Sequence, residues 1–247
     1  MLNEKEMLEK YDTSFFEKDL SELSIVLDKR QMCQFLKYYE LLVEWNSFMN
    51  LTGITEFSEV MKKHFVDSLS LIKCKDLSQV QALIDVGTGA GFPGLPLKIA
   101  FPHLKVTLLD SLNKRINFLN EVIKELELDG IETVHGRAED FAKPGKLREK
   151  YDMCVSRAVA NLSTLSESCI PFVKKGGSFA SYKSEKVVEE LITAEKAVCL
   201  LGGKIIDKVD FVLPDSDMNR TIVLIQKIKE TPKKFPRKAG LPSKEPL

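Results

Sequence analysis

The 247-residue chain has little of what metal centres, disulfide frameworks and membrane spans are built from. Its three histidines, at 64, 103 and 135, show no His-x-x-x-His spacing and no carboxylate pairing that specifies a metal, so no metal centre is expected. The five cysteines, at 33, 74, 154, 169 and 199, are odd in number, scattered and without a Cys-x-x-Cys pair. That speaks against a disulfide framework or a zinc site and for buried thiols. No apolar run reaches membrane-spanning length, and the opening Met-Leu-Asn-Glu-Lys-Glu is too charged for a signal peptide. A soluble, cytoplasmic protein without a membrane partner is expected. Net charge is missing too, since 36 basic residues balance 36 acidic ones. The balance conceals an asymmetry: residues 1–30 carry eight acidic and five basic side chains, residues 227–247 two acidic and seven basic. A polyanion would therefore be met by the C-terminal end, although charge runs are more often plain solvated surface.

What is present divides in two. Residues 1–75 follow helix spacing, with Phe35, Tyr39 and Leu42 on one face and Met61, Phe65, Leu69 and Ile72 on another, and no strand alternation interrupts them. From about residue 80 the pattern predicts strands near 82–86, 105–109, 131–135, 152–156, 177–182, 204–213 and 221–227. Helices near 93–100, 113–126, 162–172 and 185–201 separate the first five, which implies right-handed crossovers and a parallel, doubly wound sheet. The last two strands are joined through Pro214 to Arg220 with no helix between them, so they form a hairpin and one strand runs antiparallel. The expected architecture is α/β, Rossmann-like, with a seven-stranded mixed sheet over residues 76–247, a helical subdomain over 1–75 and a Pro/Lys-rich tail over 231–247.

The sharpest signal is Asp85 to Gly94, Asp-Val-Gly-Thr-Gly-Ala-Gly-Phe-Pro-Gly, between an apolar strand and a helix. Glycines 87, 89 and 91 allow positive φ and a close approach of ligand to backbone. A dinucleotide fingerprint needs glycine at the first, third and sixth positions, and the sixth here is Phe92, which weakens the NAD reading. The following strand ends in Asp110, a carboxylate able to accept both hydroxyls of a ribose or, more plainly, to cap the helix near Asn113. Exits of the later strands supply Arg137, Arg157, Lys183 and, in the hairpin, Arg220. Each alone reads as surface charge. Together they would ring one mouth of the sheet and suit a phosphate-rich acceptor such as RNA.

Five segments then carry a family resemblance: DVGTGAGFPGLP at 85–96, LLDSLNKR at 108–115, GRAE at 136–139, SRAVANL at 156–162 and PRKAGLP at 236–242. With Trp45-Asn46, Asn50-Leu51-Thr52, Lys63-His64-Phe65 and Asp67-Ser68-Leu69, they resemble the RsmG family, also called glucose-inhibited division protein B, from about residue 40 to the end. These are bacterial 16S rRNA guanine-N7 methyltransferases. The resemblance implies a class I S-adenosylmethionine-dependent methyltransferase domain with an N-terminal helical extension, acting on 16S rRNA or the 30S subunit. With no coiled-coil heptads or large apolar stretch to argue for an obligate dimer, a monomer is expected.

By motif position, Gly87, Gly89, Gly91, Phe92, Ala138 and Glu139 would line the S-adenosylmethionine site, with Asp110 near its ribose. Arg157 would stand at the border of cofactor and acceptor as the catalytic residue, and Arg137, Lys183 and Arg220 would contact RNA. One departure is Ser184, where the family commonly has glycine. The tail, disordered by composition, is expected from the resemblance to dock and contact RNA. His64 and Asp67 share a polar face but receive no role, and Trp45 reads as core packing. Three rival readings are a methyltransferase acting on protein or small molecules, a nicotinamide-dependent oxidoreductase, and a noncatalytic RNA-binding or assembly factor.

Overall fold

A helix must satisfy its first N–H groups, and the longest helix here does so from its own sequence. In the computed structural model, which describes residues 4–157, 160–183 and 188–247, α1 (Glu4–Lys10) and α2 (Ser14–Glu22) precede α3 (Lys29–Met49). Asp28 accepts from the Gln31 backbone N–H while the Gln31 side chain accepts from the Asp28 N–H, a reciprocal capping box. Met32, Phe35, Leu36, Leu42 and Met49 form its buried stripe. The chain then runs as one irregular rod: α4 (Phe57–Val60), a π-helical turn (Met61–Val66), α5 (Asp67–Leu69) and a 3-10 turn (Ser70–Lys73). A π turn holds one more residue than an α turn, so it rotates the faces presented before and after it.

The sheet alternates with helices as its pattern predicts: β1 (Ala82–Val86), α6 (Gly94–Ala100), β2 (Lys105–Asp110), α7 (Asn113–Glu125), β3 (Ile131–His135), α8 (Ala138–Phe141), β4 (Tyr151–Ser156) and α9 (Leu162–Cys169). After these come β5 (Val173–Lys183), α10 (Val188–Leu200), β6 (Gly203–Val212), β7 (Asn219–Lys227) and α11 (Leu241–Lys244). The strand order is β3-β2-β1-β4-β5-β7-β6, with β7 antiparallel to both neighbours. The chain winds outward from β1 to β3 and resumes at β4 on the other side of β1. The crevice at the carboxyl ends of β1 and β4 is therefore the switch point where such sheets bind ligands.

Apolar residues alternate across the strands and build one core on each face. Leu83, Val155 and Ala180 pack in one cluster with Phe16, Phe35 and Phe65, so the N-terminal helices share their core with the sheet. Ile84, Cys154 and Phe179 face the other cluster with Leu165, Val198 and Phe235 of the tail. The tail thus docks, as the resemblance implies. Three details escape the sequence pattern: α8, α11 and the early start of β5 at Val173. Gly176, with φ +89°, reads as a turn but sits in an irregularity where the β4–β5 register shifts. Ser184 and the start of the helix expected from 185 lie outside the described residues.

Gln31 also donates from Nε2 to the carbonyl oxygens of Ile99 (2.8 Å) and Ala100 (3.3 Å), tying the α3 cap to the end of α6. Gln31→Ala removes the side-chain half of the box and this tie, leaving the Asp28 cap in place. The expected loss is about 1–2 kcal/mol of folding stability, read as a lowered urea midpoint at unchanged slope.

Candidate active site

Three consecutive strand ends build the first half of the site. Gly87, Gly89 and Gly91 have φ of +73°, +63° and +103°, as the motif requires. The Gly89 N–H donates to Asp110 Oδ2 (2.9 Å), so the end of β2 holds the turn after β1 open. Asp110, 3% exposed, also accepts from the Leu112 N–H (2.9 Å) and Arg115 Nη1 (3.2 Å). It therefore closes the turn before α7 but does not cap that helix, whose N-cap is Leu112 without a side-chain cap, so the capping reading does not hold. A carboxylate has about four lone-pair positions, so three partners leave room for a hydroxyl donor.

A Cβ added at Gly89 meets nothing within 4 Å, whereas one at Gly91 would run into Leu95 Cδ1 and stand 2.7 Å from Tyr38 Oη. Gly89 faces open space and Gly91 faces the core. Beneath them Asp85 is fully buried, accepting at Oδ2 from Thr88 Oγ1 (2.7 Å) and the Gly94 N–H (2.8 Å), while Oδ1 has no hydrogen-bond partner. Burial pushes its carboxyl up to about 7, against the pull of those two hydrogen bonds.

The second half of the site is cationic. Arg157, just after β4, donates from Nη1 to Asp67 Oδ2 (2.8 Å) and to the Lys63 carbonyl (3.2 Å). Its guanidinium lies over the Phe92 ring at 4.9 Å. Arg220, at the start of β7, donates from Nε to Asp67 Oδ1 at 2.9 Å. Phe92, 6% exposed, stacks between His64 (4.5 Å) and Tyr38 (5.5 Å). Arg157 Nη2 sits 3.3 Å from His64 Nδ1; because arginine has only donors, that nitrogen accepts and Nε2 donates to Thr52 Oγ1 (2.8 Å). Burial, and then the Arg157 charge, push the imidazole down to about 3. His64 is a neutral, satisfied histidine.

Of the four expected cations the structure joins Arg157 and Arg220 through Asp67, a residue the sequence placed on a polar face without a role. Lys183 pairs in register with Thr221, beside Arg220, but its ammonium turns to Glu190 Oε2 and the Ala160 carbonyl, both at 2.7 Å. Arg137 is exposed beyond β3, at the opposite edge of the crevice. Glu139, 8% exposed, points to the tail, accepting from the Gly240 N–H at 2.9 Å. Trp45 packs on Phe118 at 5.6 Å.

A sequence model of the family described as rRNA small subunit methyltransferase G matches residues 31–217. The chain belongs to that family. It is 59% identical over 236 residues to ribosomal RNA small subunit methyltransferase G of Lachnoclostridium phytofermentans, covering 96% of this chain and 98% of the relative. The same-named protein of an Exiguobacterium species is 49% identical and aligns over 100% of both chains. Among solved structures, a 16S rRNA adenine-N1 methyltransferase from Catenulisporales acidiphilia superposes with TM-score 0.51 at 13% identity, over 62% of this chain and 87% of that one. The S-adenosylmethionine-dependent methyltransferase SibL does so with TM-score 0.50 at 16% identity, over 66% and 55%. Both show the class I methyltransferase fold.

The chemistry of the cleft fits the family's cofactor. Asp110, with one acceptor position left at the end of β2, suits a ribose hydroxyl, and the open space at Gly89 lets a ligand approach the backbone, while Asp85 is buried beneath the turn and holds it. Gly89→Ala is expected to fold, with about 1 kcal/mol of strain, yet to lose measurable cofactor binding in calorimetry. Gly91→Ala is expected to lose the fold before the ligand, with a depressed melting temperature.

Asp85 has a folded-state pKa above its unfolded value of 3.8, so it binds more protons when folded between about pH 4 and 7. Its contribution is present at low pH and is lost as pH rises through that window. Relative to isosteric Asp85→Asn, wild-type stability is expected to fall by at most about 1.4 kcal/mol per pH unit across it, then level off above 7. Denaturant titration of both proteins at several pH values reads the difference directly.

Proposed function

We propose that the chain transfers a methyl group from S-adenosylmethionine to N7 of one guanine in the decoding-region hairpin of 16S rRNA, acting as a cytoplasmic monomer. In this reading residues 1–75 form the helical subdomain and 76–247 the methyltransferase domain. The carrying observation is the division of one crevice between a carboxylate-lined, glycine-open half and a half where two arginines meet one carboxylate. The first half suits a cofactor with a ribose hydroxyl to donate, the second an anionic acceptor. Phe92 at the sixth motif position, where a dinucleotide fingerprint needs glycine, counts against a nicotinamide dinucleotide.

S-adenosylmethionine supplies an electrophilic methyl carbon on a sulfonium sulfur. Guanine N7 keeps its lone pair at neutral pH, so accepting that methyl would require no proton transfer by the chain. The residues then have positioning work. Asp110 accepts a ribose hydroxyl, Gly87, Gly89 and Gly91 let the cofactor approach the backbone, and the turn at Ala138–Glu139 faces the adenine. Phe92, stacked under Arg157, sets the floor at the reacting end, and Arg157, held by Asp67, orients the guanine. Neutral His64 neither gives nor takes a proton. Alignment of this kind supplies up to roughly 7–11 kcal/mol. Arg137, already exposed, can meet a phosphate without rearrangement, whereas Lys183 must exchange Glu190 for one and Arg220 must share Asp67 with one.

The test is incubation with methyl-labelled S-adenosylmethionine and either 16S rRNA or 30S subunits from cells lacking the modification. Label recovered as 7-methylguanosine at a single decoding-region position is expected; no label on either substrate, with cofactor bound, overturns the rRNA assignment. Arg157→Ala is expected to lower kcat roughly a hundredfold while cofactor affinity changes little.

A further inference from the structure

Of the tail's basic residues Arg237 is turned inward, while Lys233, Lys234, Lys238 and Lys244 are exposed. Arg237 donates from its backbone N–H to Glu167 Oε1 (2.7 Å), from Nε to both carboxylate oxygens (3.0 and 3.1 Å), and from Nη2 to Oε2 (2.7 Å). Glu167 lies on α9 and is completely buried. Three residues on, the Gly240 N–H donates to Glu139 of α8 at 2.9 Å, and the Pro242 carbonyl accepts from Thr164 Oγ1 of α9 at 3.0 Å. Arg148 holds the start of the same segment, donating to the Phe235 carbonyl at 2.7 Å and the Pro232 carbonyl at 3.3 Å. The tail therefore bridges the two helices that follow β3 and β4, the strand exits on either side of β1 and β2.

We propose that residues 231–247 brace one wall of the cofactor site from behind, with Arg237 as the positioning residue that holds the Arg137–Glu139 turn against the adenine. This rests on the cofactor reading above. The register supports the placement. His135 at the end of β3 pairs with Asp110, and the Gly136 N–H donates to the Asp110 carbonyl at 2.9 Å, so the turn is the next strand exit outward from the ribose carboxylate. Glu139 reaches away from the crevice to Gly240, so its side chain fixes the turn while the backbone of Ala138 and Glu139 remains to meet a base. A four-residue helix cannot hold such a turn by its own cooperativity. The tail supplies the missing constraint, and the buried Glu167–Arg237 pair is its anchor.

The experiment separates positioning from stability. Arg237→Ala leaves a buried carboxylate unpaired and lowers the melting temperature. The double variant Glu167→Met/Arg237→Met removes both charges, which recovers the melting temperature but leaves the anchor missing. Both variants and wild type are titrated with S-adenosylmethionine by calorimetry and with 16S rRNA by filter binding.

The expected result is a roughly tenfold rise in the Kd for S-adenosylmethionine in both variants, unchanged rRNA affinity, and near-wild-type melting of the double variant. A double variant whose cofactor Kd returns to the wild-type value along with its melting temperature overturns the proposal. So does weakened rRNA binding with an unchanged cofactor Kd, which makes the tail an RNA element. Wild-type protein that binds no S-adenosylmethionine overturns the cofactor reading itself.

Discussion

Asp67 carries one negative charge that two guanidinium groups share, and the geometry of the reacting end depends on it. Arg157 leaves β4 and Arg220 opens β7, and without a common acceptor the two cations would repel one another. The carboxylate is itself only 7% exposed, so its desolvation must be offset by both partners together. The π turn at Met61–Val66 immediately precedes it and rotates Asp67 toward the sheet while Phe65 stays in the apolar core. Arg157 then lies flat over Phe92, Phe92 lies against His64, and His64 is fixed by Thr52. One ion pair thus connects the N-terminal helices, the glycine turn and the end of β4. A helical extension that merely covered the sheet would need only its aromatic stripe; this one also delivers a charge to a defined place.

A chain of zero net charge achieves this by separating its charges across the switch point. Asp110 stands at the end of β2, and Arg157 and Arg220 beside β4 and β7. The two halves differ in sign, a buried carboxylate on one side and two guanidinium groups on the other. The separation also explains why the uncharged residues between them matter. Phe92 is the floor common to both halves, buried where any water would screen one from the other.

Legibility in the sequence follows the range of the interaction that determines each feature. The strands, the order of helices and the glycine turn are local patterns of alternation and φ requirement, and they were readable to within a few residues. Asp110 was readable because it ends a strand. Asp67 was not, since its partners lie 90 and 153 residues away and nothing in Lys63–Asp67 announces them. Lys183 looked like a free cation because Glu190, a helix further on, gives no sign of folding back onto it. β5 was truncated because Gly176–Gly177 has the composition of a turn, and α8 and α11 are single turns too short to show a period. The tail's lysines and prolines suggest a solvated strand. Only the buried Glu167, which reads as an ordinary charge on a helix, reveals why it is not.

The electrostatic state of the remaining side chains suits a reaction in which no proton moves. Histidine 64 is neutral across the physiological range, and the Tyr38 and Tyr182 hydroxyls, pushed well up by burial, each donate to a carbonyl and stay protonated. None is placed to act as acid or base. An enzyme that needed a base would hold a histidine near neutrality beside its acceptor; this site instead packs its histidine between a phenylalanine and an arginine, where a second positive charge would be unfavourable. Rate must then come from the alignment of nucleophile, carbon and leaving sulfur, and alignment is a property of rigid surroundings. That is the physical reason for a site whose residues are anchored from outside the crevice, by Asp67 on the acceptor side and by Arg115 beneath Asp110 on the cofactor side.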